Sequence, residues 1–532
     1  MKDTGLTEKE WEQIRTVFRA VPAIEKAVLF GSRAMGLARG NSDVDIMLYG
    51  EELTMGDVAH ARALLEETTL PYQFDLILCD SMNTKLRKHI EQYGKILIEN
   101  LKCHTRDWMT ISLESAGVML IDCDHRTPKE QNFGFPYITI PQLKDGRIAH
   151  HEARKISKED FVEWTKKLLP KEHDVVVVRR CNSGENAVIP SGLQCAIGQN
   201  LVVLRSNGKY VYPPFLRWLV RGQEWWEEVR KYTNVGAVFD SLRCKDIPRF
   251  VLPIPPKNYQ KQITVMLDAL DDRIQLLHET NTTLEAMAQA LFKSWFVDFD
   301  PVHAKAEGRA PEGMDAETAA LFPDEFEESE LGMIPKGWKV ESLGTAFNLT
   351  MGQSPPGDTY NDSGDGVPFF QGRTDFGIRY PVNRKYCTSP TRIAQPNDTL
   401  ISVRAPVGDI NMAWKKCCIG RGVAAARHTS GGTSFTYYFL KSIQRKIAAF
   451  DDSGTVFGSI TKKQFENIII LTPPQQLTVA FEQFVTAFDE SIKMNTAKSR
   501  LLISLRDTLL PRLLSGKLRL PEFAEAVDEA TV

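Results

Sequence analysis

Three aspartates near the N-terminus have the residue type and spacing of a metal-dependent nucleotidyl-transfer site. Asp43 and Asp45 lie in Ser42-Asp-Val-Asp-Ile46. Two apart on a strand, they project to the same side, where both carboxylates can hold a hard divalent cation. Asp75, within the apolar run Phe74-Asp-Leu-Ile-Leu78, supplies a third carboxylate. Gly31-Ser32 directly follows the apolar strand candidate Ala27-Val-Leu-Phe30. At a strand-to-helix turn, its backbone N–H groups and hydroxyl can face nucleotide phosphates. A metal pair held by three aspartates would polarise an α-phosphate and activate an attacking hydroxyl, as in the two-metal scheme.

These residues occupy a small part of a long chain. At 532 residues it exceeds the roughly 250–300 residues that a single core supports, so two to four domains are expected. With 42% hydrophobic and 25% charged residues, and a mean hydropathy of -0.26, it has an ordinary globular composition rather than a disordered or fibrous one. No apolar stretch approaches the ~18 residues of a membrane span, and the charged start MKDTGLTEKEWEQ lacks the apolar run of a signal peptide. A cytoplasmic location with no membrane partner is the expectation. Nine cysteines occur singly or as Cys417-Cys418, without a C-x-x-C spacing, and are expected as reduced thiols in or near cores. The net charge of -3 neither demands nor excludes nucleic acid, because binding needs a local basic surface rather than a basic total.

Beyond residue 100 the chain repeats itself at an offset of about 218 residues. Phe239-Asp-Ser-Leu-Arg-Cys-Lys-Asp-Ile matches Phe457-Gly-Ser-Ile-Thr-Lys-Lys-Gln-Phe, Pro255-Pro256 matches Pro473-Pro474, and Ala269-Leu-Asp-Asp-Arg-Ile matches Ala487-Phe-Asp-Glu-Ser-Ile. A fainter echo joins Asp174-VVVVRR, Gly184-Glu and Ile197-Gly198 to Asp398-TLISVR, Gly408-Asp and Ile419-Gly420. So long a period predicts two tandem modules rather than a stacked array. Short β-type runs precede each double proline, and a helical period follows it. Ile263, Leu267, Leu270, Ile274, Leu277, Asn281, Leu284, Ala288 and Leu291 form a heptad seam. Phe481, Phe484, Phe488, Ile492, Asn495, Leu502, Leu505 and Leu509 are its expected partner, with Asn281 and Asn495 fixing register. Helices of about 35 residues would be roughly 50 Å long. The stretch from Asp298 to Lys336, rich in Asp, Glu, Pro and Ala, reads as a partly ordered linker.

On Gly31-Ser32, Asp43-x-Asp45 and Asp75, residues 1–100 resemble the minimal nucleotidyltransferases, related in fold to the polymerase β superfamily. That resemblance implies Asp43, Asp45 and Asp75 as catalytic metal ligands and Gly31 and Ser32 as phosphate contacts. It also implies Mg²⁺, a nucleoside triphosphate such as ATP, and in some members a toxin-antitoxin partner as acceptor. The remainder resembles the specificity subunit of type I restriction-modification enzymes. The residues carrying this are Ala290-Leu-Phe-Lys-Ser-Trp-Phe-Val-Asp-Phe-Asp300, Gly332-Met-Ile-Pro-Lys-Gly-Trp338 and Leu509-Leu-Pro-Arg-Leu-Leu-Ser-Gly-Lys517.

The fold class implied is a multidomain α+β chain. A small α/β nucleotidyltransferase domain is followed by two mixed α/β target-recognition domains, separated by two long antiparallel coiled-coil helices. The expected division is 1–100 nucleotidyltransferase-like, 105–255 first recognition domain, 256–297 central helix and 298–335 acidic linker. Then come 336–473 second recognition domain, 474–516 C-terminal helix and 517–532 tail. The family's partners are double-stranded DNA, read as two half-sites, two methyltransferase subunits, and restriction subunits. Arg179, Arg180, Asn182 and Ser183, with Gln371, Arg373, Arg404, Lys415, Lys416 and Arg421, are the candidate DNA contacts, since loops bearing such side chains can reach phosphates and base edges. No phosphate loop G-x-x-x-x-G-K-[ST] occurs, and Tyr212-Pro-Pro-Phe215 has Tyr where an amino-methyltransferase needs Asn or Asp. The recognition part is thus expected to be non-catalytic. An alternative makes nucleotidyl transfer the main activity, targeted by the DNA-binding repeat.

Overall fold

The computed structural model describes residues 4–21, 23–38, 42–50, 53–79, 89–90, 93–99, 108–235, 240–450 and 458–518. Phe239 and Phe457 of the repeat, and the tail from residue 519, lie outside them. Among the described residues no helix is long and apolar enough to cross a membrane. The chain forms two compact units, Met1–Ala269 with Ser504–Val532, and Leu270–Ile503.

The N-terminal domain is a four-stranded sheet of β1 (Lys26–Leu29), β2 (Val44–Tyr49), β3 (Phe74–Leu78) and β4 (Lys95–Glu99), in the order β3-β2-β1-β4. β2 and β3 are parallel, and β1 is antiparallel to β2 and β4. α1 (Glu8–Ala20) and α3 (Met55–Glu66) start on capping boxes, Thr7 with Glu10 and Thr54 with Asp57, which satisfy first-turn N–H groups. Their apolar stripes, including Trp11, Ile14, Phe18, Val58 and Leu65, share one core with Leu29, Val44, Ile46 and Leu48. Because the strand period is two, the residues between those positions face the other way. Val28, Met47 and Ile77 form a separate apolar cluster there.

The two modules repeat one another more closely in three dimensions than in sequence. In the first, Val175–Val178 pairs antiparallel with Asn186–Val188 and Leu201–Ser206, and Val118–Asp122 lies on the far side of the latter. In the second, Thr399–Ser402 pairs with Ile410–Met412 and Val423–His428, and Phe347–Met351 lies beyond. A short parallel pair accompanies each sheet, Tyr137-Ile138 with Ala196-Ile197 and Phe369-Phe370 with Cys418-Ile419. One ion pair recurs in both. Arg205 Nη2 meets buried Asp174 at 2.6 Å and also donates to Leu169 O, while Arg427 Nε meets Asp398 at 2.7 Å and its Nη2 donates to Pro396 O. The same aspartates accept from backbone N–H groups three residues earlier, Lys171 and Gln395. His173 and Asn397, each preceding its aspartate, both sit at φ 66°.

Two 40-residue helices follow the modules, Lys257–Phe296 and Gln475–Leu514, each about 60 Å long at 1.5 Å per residue. Within the second unit they pack antiparallel. His278 Nε2 meets Ser499 Oγ at 2.7 Å, Asn495 Nδ2 donates to Asn281 Oδ1 at 3.0 Å, and Phe292 packs its ring against Phe481. The central helix buries the expected seam at Ile263, Leu267, Ile274, Leu277 and Ala288. The C-terminal helix departs from expectation. Phe484 is 37% and Leu505 44% exposed, whereas Ser499 and Arg506 are buried. The heptad count assigned apolar residues to the seam, but His278 needs a hydrogen-bonding partner at its level and Ser499 supplies it.

The acidic stretch expected as a linker is packed. It carries helices Asp300–Ala306 and Ala316–Ala320 and a hairpin of Phe326–Ser329 with Gly332–Pro335. Its few apolar residues do the anchoring, with Val302 and Phe322 buried in a core with Phe292, Trp295 and Phe296, which Trp338 joins from just beyond the stretch. Acidic composition therefore concealed an ordered surface segment held at sparse anchor points.

The amide pair Asn281/Asn495 should act as a register lock. Asn281→Ala strands the Asn495 amide and should lower stability by about 1–2 kcal/mol in urea unfolding. Replacing both by Leu should recover that loss, at the cost of a unique helix register. A neutral single substitution would show that water already satisfies both amides.

Candidate functional site

The pleat of β2 and β3 assembles the N-terminal carboxylates. Asp45 and Asp75 are direct neighbours in the parallel register, and both alternate with residues that face the helices. Asp43 stands one residue before β2, two back from Asp45, and is exposed, as is Asp75. Burial raises the Asp45 pKa above its ordinary value, helped by the charges of Asp75 and then Asp43 and opposed by Arg33. Clustered like charges on one face of a sheet are what a hard cation would relieve. The all-oxygen donor set fits Mg²⁺ better than a softer ion. The cluster is open rather than tight. Among the described residues, the trio of donors that lies within 4.8 Å of one another is elsewhere, at Asp122, Cys123 and His125.

Gly31 begins the short helix α2 (Gly31–Ala34) with φ +71°. A Cβ there would stand 2.1 Å from Asp45 Oδ2, so glycine lets the carboxylate lie against the turn. Phe30 N donates to Asp45 O at 2.9 Å, fixing the turn to β2. Ser32 follows on the same turn, next to the Gly31 that lies against Asp45.

The sequence reading assigned no role to Arg33. Its side chain is buried, and it donates to Ser42 O at 2.7 Å, Asp43 O at 3.2 Å and Thr4 O at 3.1 Å, while its guanidinium lies over the Tyr72 ring. It therefore positions the backbone that carries Asp43. An arginine inside a glycine-serine turn was the available signal, since a buried guanidinium must find several acceptors.

The DNA-contact candidates fall into corresponding places in the two modules. Arg180 bridges Ser241, and Arg404 bridges Ser459. Arg179 N donates to Asn200 O, as Val403 N does to Gly422 O, and Gly198 N donates to Ile138 O, as Gly420 N does to Phe370 O. In the first module the loop is held by Asp240, which accepts from Asn182 N at 3.2 Å and Ser183 N at 2.7 Å. Asn182 is exposed, but Ser183 is buried with its hydroxyl donated to Arg179 O, so Ser183 shapes the loop instead of presenting to a ligand.

In the second module Gln371, Arg373, Arg404 and Arg421 come together. Gln371 O accepts from Gly422 N, Arg373 pairs with Asp409 at 2.8 Å, and Arg421 Nε meets Ser354 Oγ at 3.4 Å. Lys415 and Lys416 do not join them. They precede strand Cys417–Ile419, whereas Arg421 follows it, and neighbouring Trp414 packs under Lys493 and Arg500 of the C-terminal helix. The paired register also shows a residue that was missed. Gln199 occupies the place of Arg421, is exposed, and donates to Thr127 Oγ1 at 3.0 Å. The echo of Ile197-Gly198 in Ile419-Gly420 contained that signal.

Residues 107–286 and 335–502 match the family described as type I restriction modification DNA specificity domain, and residues 12–102 match polymerase beta, nucleotidyltransferase. A putative type I restriction enzyme MjaX specificity subunit of Methanocaldococcus jannaschii is 33% identical over 328 residues, 60% of this chain and 72% of that protein. The HindI specificity subunit of Haemophilus influenzae is 26% identical over 438 residues, 72% of this chain and 94% of that one. The crystal structure of an HsdS subunit from Thermoanaerobacter tengcongensis is 25% identical, covering 77% of this chain and 97% of that one with a TM-score of 0.28.

The raised pKa of Asp45 has a stability consequence. A carboxyl that ionises less readily folded than unfolded costs stability at neutral pH, and the cost disappears as pH falls through its folded pKa. Asp45→Asn should therefore raise the melting temperature of the N-terminal domain by a few degrees at pH 7, with the difference shrinking towards pH 4. Gly31→Ala should instead destabilise by about 1–2 kcal/mol from the left-handed backbone alone. Equal melting of all three proteins at pH 7 would contradict the geometry.

Proposed function

Because the chain belongs to the family of type I restriction-modification DNA specificity subunits, with a polymerase β-type nucleotidyltransferase domain at its N-terminus, we propose that each module reads one half of a bipartite DNA sequence. The observation that carries this is one loop frame presenting different side chains. Arg180 and Arg404 are equivalent, but Gln199 stands where the second module has Arg421. A constant scaffold with exchanged exposed residues suits two half-sites of different sequence. Arg side chains serve phosphates or guanine edges, and Gln and Asn serve adenine edges. The long helices, locked by Asn281 and Asn495, set the gap between half-sites and dock two methyltransferase subunits and the restriction subunits.

The N-terminal domain is proposed to transfer a nucleotide from ATP, or a related triphosphate, to a partner such as a toxin-like protein. Asp43, Asp45 and Asp75 would hold Mg²⁺, which supplies Lewis-acid activation of an α-phosphate when bound. Gly31 and Ser32 offer the N–H groups and hydroxyl of the first turn to the phosphates, and Arg33 keeps Asp43 in place. The close seat of Asp45 against Gly31 favours keeping this activity as a second reading of the whole protein.

Co-expression with the cognate methyltransferase subunit, followed by genome-wide mapping of methylated bases, tests both readings. A split motif with a fixed gap is expected. Arg180→Ala and Arg404→Ala should each weaken one half-site, by about 10-fold or more if the lost contact is to a base. Asp45→Asn should leave the motif intact while lowering labelled nucleotide transfer by at least ~100-fold. Both arginine variants altering the same half-site would defeat the one-module, one-half assignment. Loss of methylation in Asp45→Asn, with the complex still assembled, would instead make nucleotidyl transfer the primary activity.

A further inference from the structure

We propose that Asp122, Cys123, His125 and Cys244 form a zinc site beside the Gly198–Asn200 loop of the first module. Asp122 ends the strand Val118–Asp122, and the chain then turns so that three different donors converge. One ligand atom from each of Asp122, Cys123 and His125 lies within 4.8 Å of the others. His125 Nε2 is 3.1 Å from Asp122 Oδ2, and the Cys123 thiol donates to Gly198 O at 3.1 Å. Cys244, 121 residues downstream, brings a second thiol beside the Asp122 carboxylate. Bonds of about 2.0–2.3 Å place tetrahedral zinc ligands about 3.3–3.8 Å apart, so small side-chain rotations close the trio, and Cys244 must move in from outside it to complete the set. The side chains of Asp122 and His125 are 26% and 52% exposed, which leaves a way in for the ion.

The charges around the cluster point the same way. Arg179 faces both thiols, and its Nε is buried with no hydrogen-bond partner among the described residues. A guanidinium set against two neutral thiols is poorly compensated, but thiolates would give it a counter-charge. Zinc with two thiolates, one carboxylate and a neutral imidazole carries a net charge of minus one. Arg179, and Lys167 with Nζ 3.9 Å from Asp122 Oδ2, balance it. The Cys123 thiol, pushed up to about 11 by burial and by the Asp122 charge, remains protonated at neutral pH until a metal takes the sulfur. In the binding step two S–H bonds break, two S–Zn bonds form and two protons leave to solvent, so affinity rises with pH. The second module has Met351, Gly352, Ser354 and Lys462 at the corresponding places, so the site belongs to the first module alone.

The effect on DNA reading rests on the function proposed above, because Gly198 directly precedes Gln199. The metal site itself is tested without DNA. The full chain, stripped by chelator, is titrated with Co²⁺ and followed by the thiolate-to-cobalt charge-transfer band and the intense visible bands of a tetrahedral site. One equivalent should generate both, and Zn²⁺ should displace it. Cys123→Ser and Cys244→Ser should each weaken the thiolate band and the binding, and His125→Ala, an exposed position, should lower affinity by about 10-fold or more. Cobalt held only by the N-terminal aspartates would give no thiolate band and would overturn the proposal. So would a thiolate band and a cobalt affinity that are both undiminished in Cys244→Ser and His125→Ala, which leave the buried Cys123 in place.

Discussion

A carboxylate bonded to an arginine on an adjacent strand, buried in the first module and half-buried in the second, is the interaction that the two modules share. Asp174 is 2% exposed, and it answers an arginine and a backbone N–H at once. Such a charge would be intolerable in a core without those partners, and with them it fixes where the strand starts. Asp398 does the same with Arg427 and Gln395. From that fixed start, the strand, its following turn at Gly184 or Gly408, and the return strand fall into the same hydrogen-bond pattern. Gly184 N donates to Val178 O, and Gly408 N to Ser402 O.

The N-terminal domain handles charge differently. Among the described residues, Asp43, Asp45 and Asp75 are in no tight ion pair. Asp75 and Arg62 are 4.0 Å apart at an exposed surface, where such a contact contributes little. The carboxylates are instead gathered on the face opposite the helices by the register of β2 and β3. Burial of Asp45, with repulsion from Asp75 and Asp43, is a stability cost, and the hydrophobic core beneath, from Trp11 to Leu65, offsets it. Arg33 shows the division of labour. Its guanidinium donates to backbone carbonyls, so it shapes the turn while only partly offsetting the Asp45 charge.

The helix pair shows that polar groups can specify what apolar groups merely stabilise. Ile263, Leu267 and Ile274 would pack in several registers, but Asn281 with Asn495 and His278 with Ser499 satisfy their hydrogen bonds in one. The aromatic cluster of Phe292, Trp295, Phe296 and Phe481 then packs between the helices, and Trp338, just beyond the acidic stretch, closes on it.

Much was legible in the sequence because it depends on short-range rules. Strand alternation put Asp43 and Asp45 on one side, the φ > 0 demand of a tight turn explained Gly31, and the heptad period gave the central helix. Internal repetition exposed the two modules without any structure. The C-terminal seam was misjudged at Phe484 and Leu505, because a heptad count assigns faces from one helix and ignores the partner's hydrogen bonds. The acidic stretch was misjudged because composition averages over the few buried residues that anchor it. Arg33, the equivalence of Gln199 with Arg421, the separation of Lys415 and Lys416 from the other candidates, and the approach of Cys244 to Asp122 needed tertiary structure. Each depends on contacts between residues distant in sequence, or on which end of a strand a side chain reaches. The sequence by itself determined the element types, the repeat and the carboxylate pair, since local backbone geometry fixes these. Only the tertiary structure decided which side chains share a site, because burial and hydrogen-bond satisfaction are settled between strands and not along them.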